Sequence, residues 1–169
     1  VIVTGAARGL GQAYGWAFAR QGLNVVAVAR DALDQTMAGF AKPEDHLALP
    51  VDVADFASVE AMVAATIEKY GGVDVLVNNA GLIQFAPLDG VLPDEWDQVI
   101  AANLTGPYLC SRAVAPIMSR TGSGRIINIT SVSAQTGGVS GGVNYTASKG
   151  GLAAMTKTLA RDLASAGVT

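Results

Sequence analysis

The sequence predicts an α/β fold built on a doubly wound parallel sheet. Three observations carry that reading. Short apolar runs alternate with amphipathic helical stretches along the whole chain. Two of those runs, Val25-Val26-Ala27-Val28 and Arg125-Ile126-Ile127-Asn128-Ile129, are nearly continuous, as parallel strands covered on both faces should be. The first run leads straight into a glycine-rich turn and then an apolar helix, and strand–helix alternation of this kind implies right-handed crossovers. No long linker or internal repeat divides the 169 residues, so 1–169 reads as a single domain.

The elements follow in order. Strands are expected at 1–4, 24–29, 47–51, 73–77 and 125–130, and helices at 10–21, 32–40, 55–70, 94–119 and 145–166. In the third helix Phe56, Val59, Met62, Val63, Ile67 and Tyr70 fall on one stripe. Asp55 is its expected N-cap and Gly71 its stop. Residues 1–3 already read as a buried strand, and 166–169 as a helix end entering another strand. The reading therefore expects a domain trimmed slightly at the front and substantially at the back, with C-terminal strands missing.

Composition bounds the function. Hydrophobic residues make up 50% of the chain and charged residues 15%, which excludes intrinsic disorder. The longest uninterrupted apolar runs, 25–29 and 61–65, are far short of the ~20 residues a spanning helix needs. The net charge of −3, with no basic tract, argues against nucleic acid as a partner. With no signal peptide, the expected compartment is the cytoplasm. Cys110 reads as a small core residue, and His46 as a lone exposed histidine in a polar connection. Asp89, Asp94, Glu95 and Asp97 suit a helix N-terminus better than a metal site. Trp16 and Trp96 read as packing residues, and Met62, Met118 and Met155 as core or interface.

The chemistry-bearing pattern begins at Thr4-Gly5-Ala6-Ala7-Arg8-Gly9-Leu10-Gly11. Glycines let the backbone turn sharply and approach a ligand closely. The helix that follows offers free N–H groups and the positive end of its dipole, which suit a pyrophosphate. Between a first strand and a first helix, this points to a Rossmann-type dinucleotide site.

The G-x-x-x-G-x-G spacing resembles that of the classical short-chain dehydrogenase/reductase family, and the resemblance extends over the chain. Asn78-Asn79-Ala80-Gly81 looks like the family's N-N-A-G motif, and Asn103-Leu104-Thr105-Gly106 like its N-L-x-G stretch. Thr130-Ser131 ends the fifth strand, where the family has its active-site serine. Tyr145-Thr146-Ala147-Ser148-Lys149 is its Y-x-x-x-K pair. The resemblance implies a catalytic set of Asn103, Ser131, Tyr145 and Lys149. It implies cofactor contacts at Gly5, Arg8, Gly9, Leu10, Gly11, Asp52, Val53, Asn79, Ala80, Gly81, Tyr145 and Lys149, with Asp52 contacting adenine. Ser131 precedes Tyr145 by one position more than is usual, and Ser133 also fits the register. The end of the strand and the Ile-Thr-Ser context favour Ser131.

These residue types suit one chemistry. A free tyrosine has a pKa of about 10 and is a poor base near neutrality. Lys149, one turn away, supplies an ammonium that favours tyrosinate. Tyr145 can then exchange a proton with a carbonyl or alcohol oxygen that Ser131 holds. The hydride belongs to a nicotinamide cofactor. NADP is favoured over NAD, because the end of the second strand carries Ala29 and Arg30 where a carboxylate would select NAD. Arg30 and Arg8 can grip a 2′-phosphate, while Asp31 is the counter-argument that keeps NAD open.

The expected function is thus an oxidoreductase acting on a small carbonyl or alcohol substrate. A 3-oxoacyl-thioester reductase and a sugar or polyol dehydrogenase both remain open, as does a non-catalytic dinucleotide-binding protein. The resemblance also implies a homodimer or homotetramer through the last two long helices. Leu152, Met155, Leu159, Leu163, Val114, Ile117 and Met118 are the candidate contacts, unless they simply cover the sheet. Pro107 has no N–H for the Asn103 carbonyl. A distorted helix is therefore expected at 103–107, with that carbonyl turned toward Lys149.

Overall fold

A computed structural model describes residues 1–138 and 141–169. Two positions of the glycine-rich stretch before Tyr145, 139 and 140, lie outside them. The strands are β1 (Ile2–Thr4), β2 (Val26–Ala29), β3 (Leu47–Pro50), β4 (Val75–Asn78) and β5 (Arg125–Asn128). They form one parallel sheet in the order β3-β2-β1-β4-β5. The chain therefore winds outward from β1 to β3, returns, and resumes at β4 on the other side of β1. A crevice opens at such a reversal, beyond the carboxyl ends of the strands. The two motif-bearing turns, after β1 and after β4, both lie there.

The helices are α1 (Gly9–Arg20), α2 (Asp34–Ala38), α3 (Phe56–Tyr70), α4 (Pro93–Ile100), α5 (Gly106–Thr121), α6 (Ser133–Thr136) and α7 (Val143–Leu163). Alternate strand residues feed two cores. Ile2, Val26, Val28 and Leu76 pack with Val59, Met62 and Val63 of α3 and with Cys110, Val114 and Met118 of α5. Val3, Ala27 and Val77 face the other way, toward Phe40, Tyr14, Trp16 and Phe18. β3 exposes alternate residues, Ala48 and Pro50, as an edge strand does. Beside β5 the chain begins to pair again. Gly124 bridges Val168 in parallel, and the Ile126 N–H donates to the Thr169 carbonyl at 2.9 Å.

Most expected elements are present within a few residues. Asp55 caps α3 by accepting the Ser58 N–H at 3.0 Å, and Gly71 ends that helix in the left-handed region. Cys110 is buried, and burial pushes its thiol up to about 12, which keeps it inert. Trp16 packs against Gly39 and donates its indole N–H to the Thr36 carbonyl at 2.9 Å.

Four expectations need correction. His46 is buried, not exposed: its Nδ1 accepts the Val25 N–H at 3.1 Å, and its ring lies 4.1 Å from that of Phe40. Trp96 is exposed and does not serve the core. The helix expected at 94–119 is three pieces, with a π turn at Ala101–Thr105 between α4 and α5. Val114, Met118 and Leu152 are fully buried within this chain and offer nothing to a second copy; Val114 and Met118 pack in the core against the sheet.

Candidate active site

The turns after β1 and β4 are knit together by Thr4. Its hydroxyl accepts the N–H groups of Asn79 and Ala80, each at 3.0 Å, and donates to the Val77 carbonyl at 3.3 Å. Asn79 returns the contact, donating Nδ2 to the carbonyls of Thr4 and Gly5 at 3.0 and 3.3 Å. This closeness explains two of the glycines. Gly5 has φ +67°, and a Cβ there would sit 2.8 Å from the Ala80 Cα. Gly11 is buried, and a Cβ on it would run into the Gly5 carbonyl and lie 2.6 Å from Asn79 Nδ2. Gly11 therefore permits packing of α1 on the second turn; it does not line the crevice. Gly9 opens α1, and Leu10 beside it is exposed.

Between the turns lies a cleft of about 430 Å³. Gly5, Arg8, Arg30, Asp52, Val53, Asn79, Ala80 and Gly81 all line it. Small apolar walls, from Val28, Ala29, Val51, Ala101 and Ala102, suit a flat ring system. At one end stand two arginine–carboxylate contacts, Arg8–Asp31 at 3.1 Å and Arg30–Asp52 at 3.8 Å, all four side chains well exposed. Asp52 also accepts the Ala54 N–H at 2.9 Å. No side chain caps the start of α1, so its first N–H groups stay available to an anion. A cleft whose floor excludes a Cβ at Gly5, beside an uncapped helix end, fits a dinucleotide.

Three of the catalytic candidates, Asn103, Tyr145 and Lys149, gather next to this cleft. Gly81 marks the junction: a Cβ there would lie 3.0 Å from Asn103 Oδ1 and 3.7 Å from Lys149 Nζ. Lys149 is buried, donates to the Ile129 carbonyl at 2.7 Å, and has its ammonium 5.9 Å from the centre of the Tyr145 ring. Burial pushes the Lys149 ammonium below the ordinary lysine range, because desolvation disfavours the charged form. Ser131 Oγ accepts both the Ser133 hydroxyl, at 2.8 Å, and the Ser133 N–H, at 3.2 Å. Ser133 itself is buried at the start of α6. Ser133 thus satisfies the acceptor side of Ser131.

The helix around Asn103 is distorted, as the proline predicts. The Gly106 N–H reaches back five residues to the Ala101 carbonyl, and Pro107 follows in the first turn of α5. The Asn103 side chain is fully used. Its Oδ1 accepts the Leu82 N–H at 2.7 Å, and its Nδ2 donates to the Leu82 carbonyl at 2.8 Å and to Ser148 Oγ at 3.1 Å.

Thr4, Ser148, Gln84 and Asn144 carry no functional expectation in the sequence. Asn144 Nδ2 donates to Gln84 Oε1 at 2.7 Å, and the Gly142 N–H to the Gln84 carbonyl at 2.7 Å. These bonds tie the approach to Tyr145 onto the segment that follows Gly81. Such side chains carry no spacing signal, since their partners lie tens of residues away. Among the described residues no group of histidine, cysteine and carboxylate side chains is placed to hold a metal. No helix of the described residues is long and apolar enough to cross a membrane.

Comparison with known proteins places this geometry. The family model described as short chain dehydrogenase matches residues 1–169. A 3-oxoacyl-[acyl-carrier-protein] reductase of Synechocystis sp. is 42% identical over 172 residues, which cover 99% of this chain and 69% of that protein. The enzyme of the same name from Staphylococcus epidermidis is 40% identical, with 99% and 70% covered. The crystal structure of a short-chain dehydrogenase from Streptomyces avermitilis superposes with a TM-score of 0.91 at 34% identity, covering 99% of this chain and 62% of that one.

Proposed function

The chain belongs to the short-chain dehydrogenase family, and from that premise we propose that it transfers hydride between a nicotinamide cofactor and a carbonyl/alcohol pair, with Tyr145 exchanging the proton. The observation that carries this reading is the closeness of Tyr145, Lys149 and Asn103 to one another and to Gly81, at the border of a cleft that fits a dinucleotide. The bound nicotinamide supplies or accepts the hydride. Gly5, Arg8, Gly9, Leu10, Arg30, Asp52, Val53, Asn79, Ala80 and Gly81 hold the dinucleotide, and Gly11 lets α1 pack close enough to present its N–H groups. Ser131 donates a hydrogen bond to the substrate oxygen and fixes it beside the Tyr145 hydroxyl. Tyr145 gives its proton to that oxygen in reduction and takes it back in oxidation. The Lys149 ammonium stabilises the tyrosinate left behind. The Asn103 backbone carbonyl, denied an i+4 donor by Pro107, binds the water through which that proton is replaced.

Among substrates, a 3-oxoacyl thioester is favoured over a sugar or polyol, because relatives near 40% identity carry the name of such a reductase. Among cofactors, NADP is favoured, because Arg8 and Arg30 stand at the end of the cleft with no acidic residue at position 29. A homodimer or homotetramer in the cytoplasm completes the proposal. Met155, Ile117, Leu159 and Leu163, which are only half-buried, supply the contacts on α5 and α7.

The test is a panel of 3-oxoacyl thioesters, ketoses and polyols offered to the full-length protein with NADPH, NADH and their oxidised forms, read by nicotinamide absorbance. The expected result is fastest turnover with a 3-oxoacyl thioester and NADPH. A kcat/KM with NADH equal to or above that with NADPH rejects the cofactor assignment, and turnover confined to polyols rejects the substrate class.

A further inference from the structure

Ser148 lies between Tyr145 and Lys149 in the sequence, but on the side of α7 that faces the π turn. It is fully buried. Its hydroxyl donates to the Tyr145 carbonyl at 2.7 Å and accepts from Asn103 Nδ2 at 3.1 Å. A serine bonded to the carbonyl three residues back has its rotamer fixed by its own helix. It therefore presents its acceptor side to Asn103 in a fixed place.

That acceptor decides the state of the Asn103 amide. Asn103 has no exposed surface, and its other bonds all go to the backbone of Leu82, the residue after Gly81. Without Ser148 one buried amide N–H loses its partner, and the Asn103 amide is held by its two bonds to Leu82 alone. The Leu82 N–H then rests on an acceptor that is less firmly placed. Two walls of the site depend on this one hydroxyl: the segment after β4 that borders the cleft, and the helix that carries the acid/base pair.

We propose that Ser148 is a positioning residue, locking the π turn, Leu82 and the Tyr145/Lys149 face into one register. It touches neither substrate nor cofactor and acts through Asn103 and the α7 backbone. The proposal rests on Tyr145 and Lys149 being the catalytic pair. Small displacements of such pairs are costly, since a shift of about 1 Å from a remote change can cost ~10²-fold in rate.

Four variants of the full-length protein test it: Ser148→Ala, Ser148→Thr, Ser148→Cys and Tyr145→Phe. The first measurement is amide hydrogen exchange at Leu82 without cofactor. It should quicken by about tenfold or more in Ser148→Ala, since its acceptor is less firmly held, and stay at the wild-type rate in Ser148→Thr, which keeps the hydroxyl. The second is the pH profile of kcat with acetoacetyl-coenzyme A and NADPH. Ser148→Ala should lower kcat by roughly 10–100-fold, displace the profile and leave KM for NADPH near wild type. Ser148→Thr should restore both. Ser148→Cys keeps the volume with only a weak donor and acceptor, so it should behave as alanine does; it replaces Ser148→Ala in both measurements if that variant does not fold. Unchanged Leu82 exchange in the alanine or cysteine variant overturns the proposal. So does a pH profile that keeps its shape while only thermal stability falls. Full activity in Tyr145→Phe would instead remove the catalytic reading on which the proposal stands, whatever Leu82 exchange shows.

Discussion

The two walls of the crevice are built by opposite means. On the β1–β3 side the cleft is shaped by backbone: Gly5 and Gly11 allow turns to touch, α1 presents its free N–H groups, and the only charged side chains are exposed. On the β4–β5 side the site is shaped by buried side chains bonded to one another. Asn103 bonds Ser148 and Ser133 bonds Ser131, and the buried Lys149 donates to the Ile129 carbonyl beside them. Exposed ion pairs contribute about 0–1 kcal/mol each and are screened by salt. Buried hydrogen bonds cost far more when half of one is removed. The comparison teaches that the backbone wall can trade its charged fringe cheaply, whereas the side-chain wall tolerates little change.

The largest effect expected from breaking the backbone wall comes from Gly11→Ala. The added methyl would have to displace the Gly5 carbonyl and Asn79. Overpacking of this kind costs ~1–3 kcal/mol, occasionally more, and for a chain of this size each kcal/mol lowers Tm by roughly 2–4 °C. Dinucleotide titration and thermal melting together check it: both affinity and Tm should fall.

The charged fringe should give smaller and selective effects. Arg30→Ala is expected to raise the KM for NADPH by about tenfold and leave that for NADH nearly unchanged. Asp31→Ala frees Arg8 from its 3.1 Å partner and should improve NADPH binding by a few-fold. Steady-state kinetics with the two cofactors decides both. Equal effects on NADPH and NADH would show that the fringe does not read the 2′ position.

The smallest effect lies outside the crevice, at His46. Burial lowers its pKa below the ordinary 6.5, and its Nδ1 must stay unprotonated to accept the Val25 N–H. Above pH 6.5 the residue is neutral in folded and unfolded chains alike, and the bond is intact. As the pH falls below 6.5 the unfolded chain takes up the proton first, and stability is lost until the pH passes below the folded pKa. Denaturant melts of wild type and His46→Gln between pH 7.5 and 5 should show a shallower acid loss in the variant. Parallel curves would assign the acid slope to other groups.

Much of the fold is legible in the sequence because burial leaves a periodic signature. The apolar runs of β1, β2, β4 and β5, the stripe of α3 with Asp55 and Gly71 at its ends, and the glycine turn are all local patterns. The glycine, N-N-A-G and Y-x-x-x-K motifs are legible for the same reason. What the sequence hides are contacts whose partners are distant along the chain. His46 looks solvated beside Glu44 and Asp45, and only the fold, which brings Val25 and Phe40 against it, buries its ring. Val114 and Met118 have helical spacing that serves a sheet and a dimer equally well, and only the packed core shows which they face. Pro107 foretells a distortion, but not its form, a π turn at Ala101–Thr105, nor the bonds of Asn103 to Leu82 and Ser148 within it.

The central claim is that the side-chain wall exists to place one phenolic proton. Tyr145→Phe removes that proton and keeps the ring, so the decisive measurement is its kcat with acetoacetyl-coenzyme A, taken beside its dissociation constant for NADPH. The account predicts a loss in kcat of at least ~10²–10⁴-fold, the range of general acid–base catalysis, with NADPH affinity close to wild type. Turnover near the wild-type rate, with NADPH bound as tightly, would contradict it.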